Sequence, residues 1–103
     1  MSGVIRQVIR HVFVRGIVQG VGYRAFVEDE AAIRGLQGWV RNRREGSVEA
    51  VFAGSVEEVA TVIESCRRGP RSARVEGIEQ REGTPEQLAQ RRTGEKFSVL
   101  ATI

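Results

Sequence analysis

The spacing of apolar residues changes along the chain. Some segments have the two-residue period of strands, and others have the three- to four-residue spacing of helices. β-Branched and aromatic residues crowd Val8–Arg15, which predicts a strand, and helix formers and acids follow over Ala25–Ile33, which predicts a helix. Two further strands, Trp39–Asn42 and Ser47–Ala53, flank a short polar turn and therefore predict a hairpin. The residues that alternate onto one face of its second strand are Val48, Ala50 and Phe52.

A second helix is predicted directly after the hairpin. Ser55 and Glu58 have the spacing of a capping box, in which a serine hydroxyl and a glutamate satisfy free amides at a helix start. Apolar residues at helical spacing predict the buried face of this helix; they are Val56, Val59, Ala60, Ile63 and Cys66. Gly69 and Pro70 then end the helix.

The C-terminal part of the chain completes the predicted fold. Ala73–Gln80 and Lys96–Ile103 read as strands, and the polar segment Arg81–Glu95 between them predicts a long loop with one helical turn at Glu86–Arg91. The order is βαββαβ plus a short extra strand. It predicts an α+β fold, a ferredoxin-like sandwich with a mostly antiparallel sheet of four to five strands and two helices on one face. Proteins of many functions share this fold, so function must be inferred from the site.

Composition indicates one globular domain over residues 1–103. Hydrophobic residues make up 41% of the chain and charged residues 28%, which is not the composition of a disordered segment. No apolar stretch approaches the roughly 20 residues of a membrane span, and the N-terminus lacks the apolar region of a signal peptide. We therefore expect no membrane partner and a cytoplasmic location. Cys66 is the single cysteine, which excludes an internal disulfide and favours a packed thiol.

The chain is basic, with a net charge of +3 and a pI near 10.0. Its arginines occur in small groups such as Arg41/Arg43/Arg44 and Arg91/Arg92, which could attract nucleic acid. Glutamates are interleaved through most of the chain, however, and the net excess is small. Solvated arginines therefore explain the charge better than nucleic-acid binding does, with steering of an anionic ligand as a secondary benefit.

The most informative segment joins the first strand to the first helix. Three glycines, Gly16, Gly20 and Gly22, allow successive backbone amides to turn onto one point, and the helix adds its unpaired first-turn amides. Arg24 supplies a planar charged fork that matches two oxygens of a phosphate or carboxylate. The glycine spacing differs from that of nucleotide-binding loops. The residues thus predict an anion site. The alternative is a turn in which the glycines only relieve strain and Arg24 makes a surface ion pair.

Two spaced motifs make the chain resemble the acylphosphatases, small enzymes that hydrolyse the carboxyl–phosphate bond of acyl phosphates. Val14–Arg24 is similar to the family's V-x-G-x-V-Q-G-V-x-[FY]-R signature, and Gly38–Gly54 to its G-[FY/W]-x-x-N-x-x-x-G-x-V-x-x-x-x-x-G signature. Gly69–Val75 is also similar, though more weakly, to the segment that follows the second helix in members of the family. Two departures are Arg34, where an apolar helix residue is expected, and the length of the loop Arg81–Glu95.

The resemblance implies roles for individual residues. Arg24 is expected to bind the phosphoryl group, the loop to surround its oxygens, and Asn42 to position the attacking water. The loop residues are Gly16, Ile17, Val18, Gln19, Gly20, Val21, Gly22 and Tyr23. Side-chain chemistry agrees, because arginine stays protonated and can only hold charge, whereas a carboxamide can orient water without titrating.

The partners expected from the resemblance are small molecules. The substrate is an acyl phosphate, and inorganic phosphate is expected as product and competitive inhibitor. We expect a monomer without a cofactor or metal ion and without a nucleic-acid partner. No His, Cys, Asp or Glu cluster in the sequence has metal-ligand spacing.

Two rival interpretations share the fold. An RNA-binding module would carry a basic-Gly-aromatic-Gly-aromatic pattern on its third strand, which Ser47–Ala53 lacks. A non-catalytic anion-binding module would keep the loop, but phosphate binding alone gives no reason for an amide at Asn42.

His11 has no serine or cysteine at dyad spacing and is expected to be structural. Trp39 and Tyr23 are expected to pack in the sheet and the core rather than to stack on a ligand.

Overall fold

In the computed structural model, which describes residues 6–103, five strands form one sheet. The strands are β1 (Gln7–Ile17), β2 (Gln37–Asn42), β3 (Val48–Ser55), β4 (Arg74–Glu82) and β5 (Phe97–Val99), and the helices are α1 (Tyr23–Ile33), α2 (Val56–Arg68) and the short α3 (Pro85–Leu88). The spatial order is β4-β1-β3-β2-β5. All pairings are antiparallel except that of β2 with β5, which is parallel. The predicted α+β ferredoxin-like sandwich is confirmed.

The core lies between α1 and α2 and one face of the sheet. Val48, Ala50 and Phe52 are buried there, as their alternation predicts. The helices contribute residues at helical spacing, among them Val27, Ala31, Val59 and Ile63. The prediction for Ala60 was wrong, because it is exposed, whereas Val62 is fully buried on α2.

Helix capping follows the sequence in part. The Ser55 hydroxyl accepts a hydrogen bond from the Glu58 amide at 3.2 Å, so half of the predicted capping box forms. The Glu58 carboxylate instead lies 3.7 Å from Arg34, which links α2 to the end of α1. A complete capping box occurs at Thr84 and Gln87 and opens α3. The helical turn predicted at 86–91 is therefore real but begins and ends earlier.

Two element boundaries matter for the site. Helix α1 begins at Tyr23 rather than Ala25, which places Arg24 in its first turn. The last strand is three residues long instead of the eight predicted. Beyond it the chain still donates hydrogen bonds to β2, from Leu100 to the Val40 carbonyl and from Ile103 to the Asn42 carbonyl. This continued pairing keeps the C-terminal segment beside the end of β2.

Within residues 6–103, no helix has both the length and the apolar character that a bilayer span requires.

Candidate active site

Arg24 and Asn42 line the same groove, which has a volume of about 480 Å³ and lies between α1, β2 and β5. Arg24 is the second residue of α1, and Asn42 is the last residue of β2. The remaining lining residues are Val18, Gly20, Gly22, Tyr23, Ala25, Glu28 and Val99. This active-site groove brings together the two side chains to which the resemblance assigns the reaction.

Arg24 is available for an anion. Its side chain is half-buried, and within residues 6–103 it makes no ion pair. Other arginines of the chain are paired: Arg15 lies 2.9 Å from Glu79 and Arg41 lies 2.8 Å from Glu49. In the part of the chain that the structure describes, the surface ion pair that was the alternative interpretation of Arg24 is therefore not formed.

The start of α1 lies at the active-site groove, because Gly22, Tyr23, Arg24 and Ala25 all line it. Gly22 caps α1 with φ of 79°, a left-handed conformation that glycine adopts without steric penalty. No side chain from residues 6–103 caps this helix, and Phe26 donates the first hydrogen bond of its ladder to the Gly22 carbonyl. The first-turn amides of Tyr23, Arg24 and Ala25 are thus left for a ligand. Positive helix-dipole charge and the guanidinium coincide at this point.

Asn42 is the clearest sign of a ligand site. Its side chain is 9% exposed, and Oδ1 is the buried side-chain polar atom without a hydrogen-bond partner among residues 6–103. An unsatisfied buried polar group typically costs about 1–3 kcal/mol, and such groups in native proteins call for a specific reason. Because Oδ1 is a carbonyl oxygen, it requires a donor such as water and cannot bind the oxygen of a phosphate dianion.

Gln19 joins the loop to the segment that carries Asn42. Its amide nitrogen donates to the Arg43 carbonyl at 2.7 Å and to the Ser47 carbonyl at 2.8 Å. Both acceptors belong to the turn that follows Asn42. The Gln19 side chain therefore fixes the position of the loop relative to β2. The sequence predicted Gln19 only as one of the loop residues around the phosphoryl oxygens and gave its side chain no role.

The structure places the first two residues of the predicted loop in β1. Ile17 is exposed and pairs with Arg74 of β4. Gly16 lies at a register shift between β1 and β4 and lines a different groove, with Phe13 and Glu79. The segment that reaches the active-site groove is residues 18–25, of which Val18 is also part of the core.

Gly16 is expected to be required for packing. Its φ is 130°, and a Cβ there would lie 2.1 Å from the Arg74 carbonyl oxygen. Gly16→Ala should lower the free energy of unfolding by at least about 2 kcal/mol, because the backbone strain and the steric overlap with β4 both destabilise the folded state. Chemical denaturation measures this change. Gly77→Ala is the matched control, since a Cβ at Gly77 meets nothing within 4 Å; equal stability of the two variants would contradict the packing role.

Tyr23 anchors the start of α1 to α2. Its hydroxyl donates to the Cys66 carbonyl at 2.6 Å, and the side chain is 1% exposed. Burial, reinforced by Cys66, raises the pKa of Tyr23 well above its usual value, so the hydroxyl stays a donor. Burial likewise raises the pKa of the Cys66 thiol to about 12. Both residues are therefore packed, as expected, and hold the helix that carries Arg24.

The opposite face of the sheet carries a polar cluster centred on Glu49. The carboxylate accepts hydrogen bonds from Arg41 at 2.8 Å and Arg43 at 2.9 Å, and it lies 2.6 Å from His11 Nε2. Trp39 is fully buried on this face and donates to the Gln87 carbonyl of α3 at 2.7 Å. Alternation along the strands puts this cluster on the face away from Asn42. The expected structural role of His11 fits this position.

Glu49 is expected to make stability depend on acid pH. Burial alone raises the pKa of its carboxyl, but the bonds from His11, Arg41 and Arg43 outweigh burial and leave the pKa below its usual value of 4.5. A lowered pKa in the fold stabilises it above the unfolded-state pKa, and this contribution is lost as pH falls through the folded value. We expect the free energy of unfolding to fall more steeply below roughly pH 5 in the wild type than in Glu49→Gln. Parallel pH profiles from denaturation would contradict this.

Three groove residues were missed by sequence interpretation. Glu28 follows Arg24 by four residues, and Ala25 and Val99 complete the wall. Helical spacing was the available signal for Glu28, because residues four apart share a helix face. No local signal identified Val99, since its place depends on the pairing of β5 with β2.

The chain is an α+β protein of the split βαβ class, and Arg24, Asn42 and the glycine loop line one groove of its sandwich. The family model described as Acylphosphatase matches residues 10–98. A protein from Rhodopseudomonas palustris (strain BisB18) named Acylphosphatase is 57% identical over 96 residues, which cover 93% of this chain and 97% of that protein. The chain therefore belongs to the acylphosphatase family of enzymes. The resemblance drawn from the two motifs is confirmed.

Solved structures agree with this assignment. An acylphosphatase from Coxiella burnetii is similar with a TM-score of 0.79 and 31% sequence identity, covering 91% of this chain and 93% of that chain. An acylphosphatase from Bacillus subtilis is similar with a TM-score of 0.77 and 32% identity, covering 92% and 99%. The arrangement of strands and helices described above is thus shared with members of the family.

Proposed function

We propose that this protein hydrolyses acyl phosphates by direct attack of water on phosphorus. Arg24 and the amides at the start of α1 hold the phosphoryl oxygens, and Asn42 Oδ1 accepts a hydrogen bond from the attacking water. The observation that carries the proposal is that Arg24 and Asn42 line one groove, and that within residues 6–103 Arg24 has no counter-ion and the buried Asn42 Oδ1 has no donor. A phosphoryl dianion satisfies the first, and water satisfies the second.

The proposed step needs no protein acid or base. The water oxygen forms a bond to phosphorus while the bond from phosphorus to the acyl oxygen breaks, and the carboxylate leaves with the bonding electrons. A phosphate oxygen accepts the proton of the water. Because a carboxylate is a good leaving group, positioning and charge stabilisation supply most of the acceleration. The guanidinium of Arg24 can only hold charge and the carboxamide of Asn42 can only form hydrogen bonds, so neither is asked to transfer a proton.

Asn42 favours hydrolysis over anion binding alone. The amide nitrogen of Asn42 can donate to a phosphate oxygen, but its carbonyl oxygen needs a donor such as water, for which phosphate binding alone has no use. The RNA-binding alternative is also not favoured, because α3 covers Trp39 and Arg81 lies 5.4 Å above the Phe13 ring, on the face where bases would stack.

Benzoyl phosphate hydrolysis tests the proposal. We expect turnover that EDTA leaves unchanged, since no step uses a metal ion. In water enriched in ¹⁸O, the label should enter inorganic phosphate and not benzoate, and no phosphorylated protein should be trapped on acid quenching. Label in benzoate, a trapped phosphoenzyme or loss of turnover with EDTA would each contradict the mechanism.

The remaining parts of the proposal concern the protein in the cell. The chain acts as one monomeric domain in the cytoplasm, where the buried free thiol of Cys66 stays reduced.

Inorganic phosphate inhibits competitively, because the product offers the same oxygens to Arg24 and the loop. Inhibition that raises KM for benzoyl phosphate at constant kcat is the expected result.

A further inference from the structure

A second groove adjoins the active-site groove beside α1. It has a volume of about 370 Å³, and its lining includes Ala32, Leu36 and Phe97. Glu28 lines both grooves, so the two meet at that residue. We call this second groove the acyl groove.

The acyl groove starts where the phosphoryl group is proposed to lie. Arg24, Glu28 and Ala32 follow one another at intervals of four residues on one face of α1, and eight residues of helix span roughly 12 Å. On the facing strand β5, Val99 lines the active-site groove and Phe97 lines the acyl groove. A substituent on a phosphoryl group at Arg24 can therefore extend between α1 and β5.

The walls of the acyl groove suit an apolar group. Leu36 is 2% exposed and presents a core side chain to the groove. The Phe97 ring stacks on Phe52 with a centroid distance of 6.0 Å and an interplanar angle of 19°, which holds it in place. Ligand sites commonly combine such apolar walls with a few placed polar groups.

Three charged residues line the acyl groove: Glu28, Glu95 and Lys96. Glu95 is engaged, since it accepts a hydrogen bond from Ser98 at 2.6 Å and lies 3.6 Å from Arg92. Lys96 is exposed at the far end, beside Gly35. Glu28 is half-buried, makes no ion pair within residues 6–103 and lies one helical turn from Arg24. It therefore stands beside the first atoms of any group attached to the phosphoryl oxygen.

We propose that the acyl groove binds the acyl group of the substrate, that it favours uncharged apolar acyl groups, and that Glu28 disfavours acyl groups that carry a carboxylate. Two like charges about 7 Å apart change affinity about threefold at the dielectric constant of water and more at the lower one of a protein surface, so we expect an effect of about fivefold. The inference rests on the proposed function, because that function places the phosphoryl group at Arg24.

Binding of a matched pair of non-hydrolysable analogues tests the proposal. Phenacylphosphonate is benzoyl phosphate with a methylene in place of the bridging oxygen, and its 4-carboxy derivative adds one negative charge to the ring. In ¹⁵N amide spectra, inorganic phosphate should shift Gly20, Gly22 and Arg24, and phenacylphosphonate should also shift Ala32 and Phe97. The carboxylated analogue should bind about fivefold more weakly than phenacylphosphonate.

Two variants isolate Glu28. In Glu28→Gln the fivefold difference between the analogues should shrink to less than about twofold. Asp29→Asn removes the same charge from the next, exposed residue of α1 and should keep the difference. The ratio of kcat/KM for benzoyl phosphate and 4-carboxybenzoyl phosphate should follow the same pattern, because both substrates carry the same phosphoryl charge.

The outcomes separate this inference from the proposed function. If the phosphonates shift the loop amides but not Ala32 and Phe97, or if Glu28→Gln keeps the fivefold difference, the acyl groove is refuted and the phosphoryl site stands. If neither phosphate nor the phosphonates shift the loop amides, the phosphoryl site is wrong, and the acyl groove is refuted with it.

Discussion

Replacing Arg24 by glutamine is expected to lower kcat/KM for benzoyl phosphate by about 10³-fold, because it removes the one full charge assigned to the transferred phosphoryl group. Loss of a single preorganised donor typically lowers turnover by roughly 10²- to 10³-fold, and a charged donor belongs at the upper end. The free energy of unfolding should stay within about 0.5 kcal/mol of the wild type, because Arg24 makes no ion pair within residues 6–103 that the change would break. Steady-state kinetics and chemical denaturation measure both quantities.

The matched control for this prediction is Arg71→Gln. Arg71 is exposed, lies outside the active-site groove and carries the same charge. We expect it to keep wild-type turnover, which would exclude an effect of net charge alone. An Arg24→Gln enzyme with more than about a tenth of wild-type activity would show that the guanidinium does not hold the phosphoryl group.

Replacing Asn42 by alanine has the second largest expected effect, a fall in kcat of about 10²-fold. If Asn42 Oδ1 orients the water and does not touch the phosphoryl oxygens, kcat and kcat/KM should fall together while the Kd for inorganic phosphate changes less than about threefold. Stability should not fall by more than about 1 kcal/mol, because the truncation removes a buried acceptor that has no partner among residues 6–103. Turnover, phosphate titration and denaturation together give the pattern.

Gln37→Ala is the control for Asn42→Ala. It truncates an exposed carboxamide at the opposite end of the same strand, β2, and should leave kcat unchanged. Weakened phosphate binding in Asn42→Ala, with kcat preserved, would assign Asn42 to binding and not to the water.

Local patterns predicted the elements of this fold because its core is organised by short-range periodicity. The alternation of Val48, Ala50 and Phe52 predicted their burial, and the motif residues predicted that Arg24 and Asn42 would meet. Arg34, which departs from the family pattern, lies just beyond α1 and bonds the Glu30 carboxylate at 2.8 Å, so no apolar residue is needed there.

Features that depend on distant segments could not be predicted in this way. Gly16 falls in a glycine-rich run and was assigned to the loop, yet its conformation is set by β4, some 60 residues later in the chain. The length of β5 likewise depends on its partner β2. Glu28 was overlooked because a glutamate on an amphipathic helix resembles a solvated residue until the facing strand is placed.

The proposed mechanism requires a specific geometry: one bound phosphoryl group contacts Arg24 and the loop while Asn42 faces the attacking oxygen. A crystal structure with vanadate, a trigonal-bipyramidal mimic of phosphorus under attack, tests it most directly. We predict vanadate in the active-site groove, with equatorial oxygens bound by the Arg24 guanidinium and the amides of residues 20–25, and with an apical oxygen within hydrogen-bond distance of Asn42 Oδ1. Vanadate bound elsewhere, or bound at Arg24 with Asn42 facing an equatorial oxygen, would contradict the account.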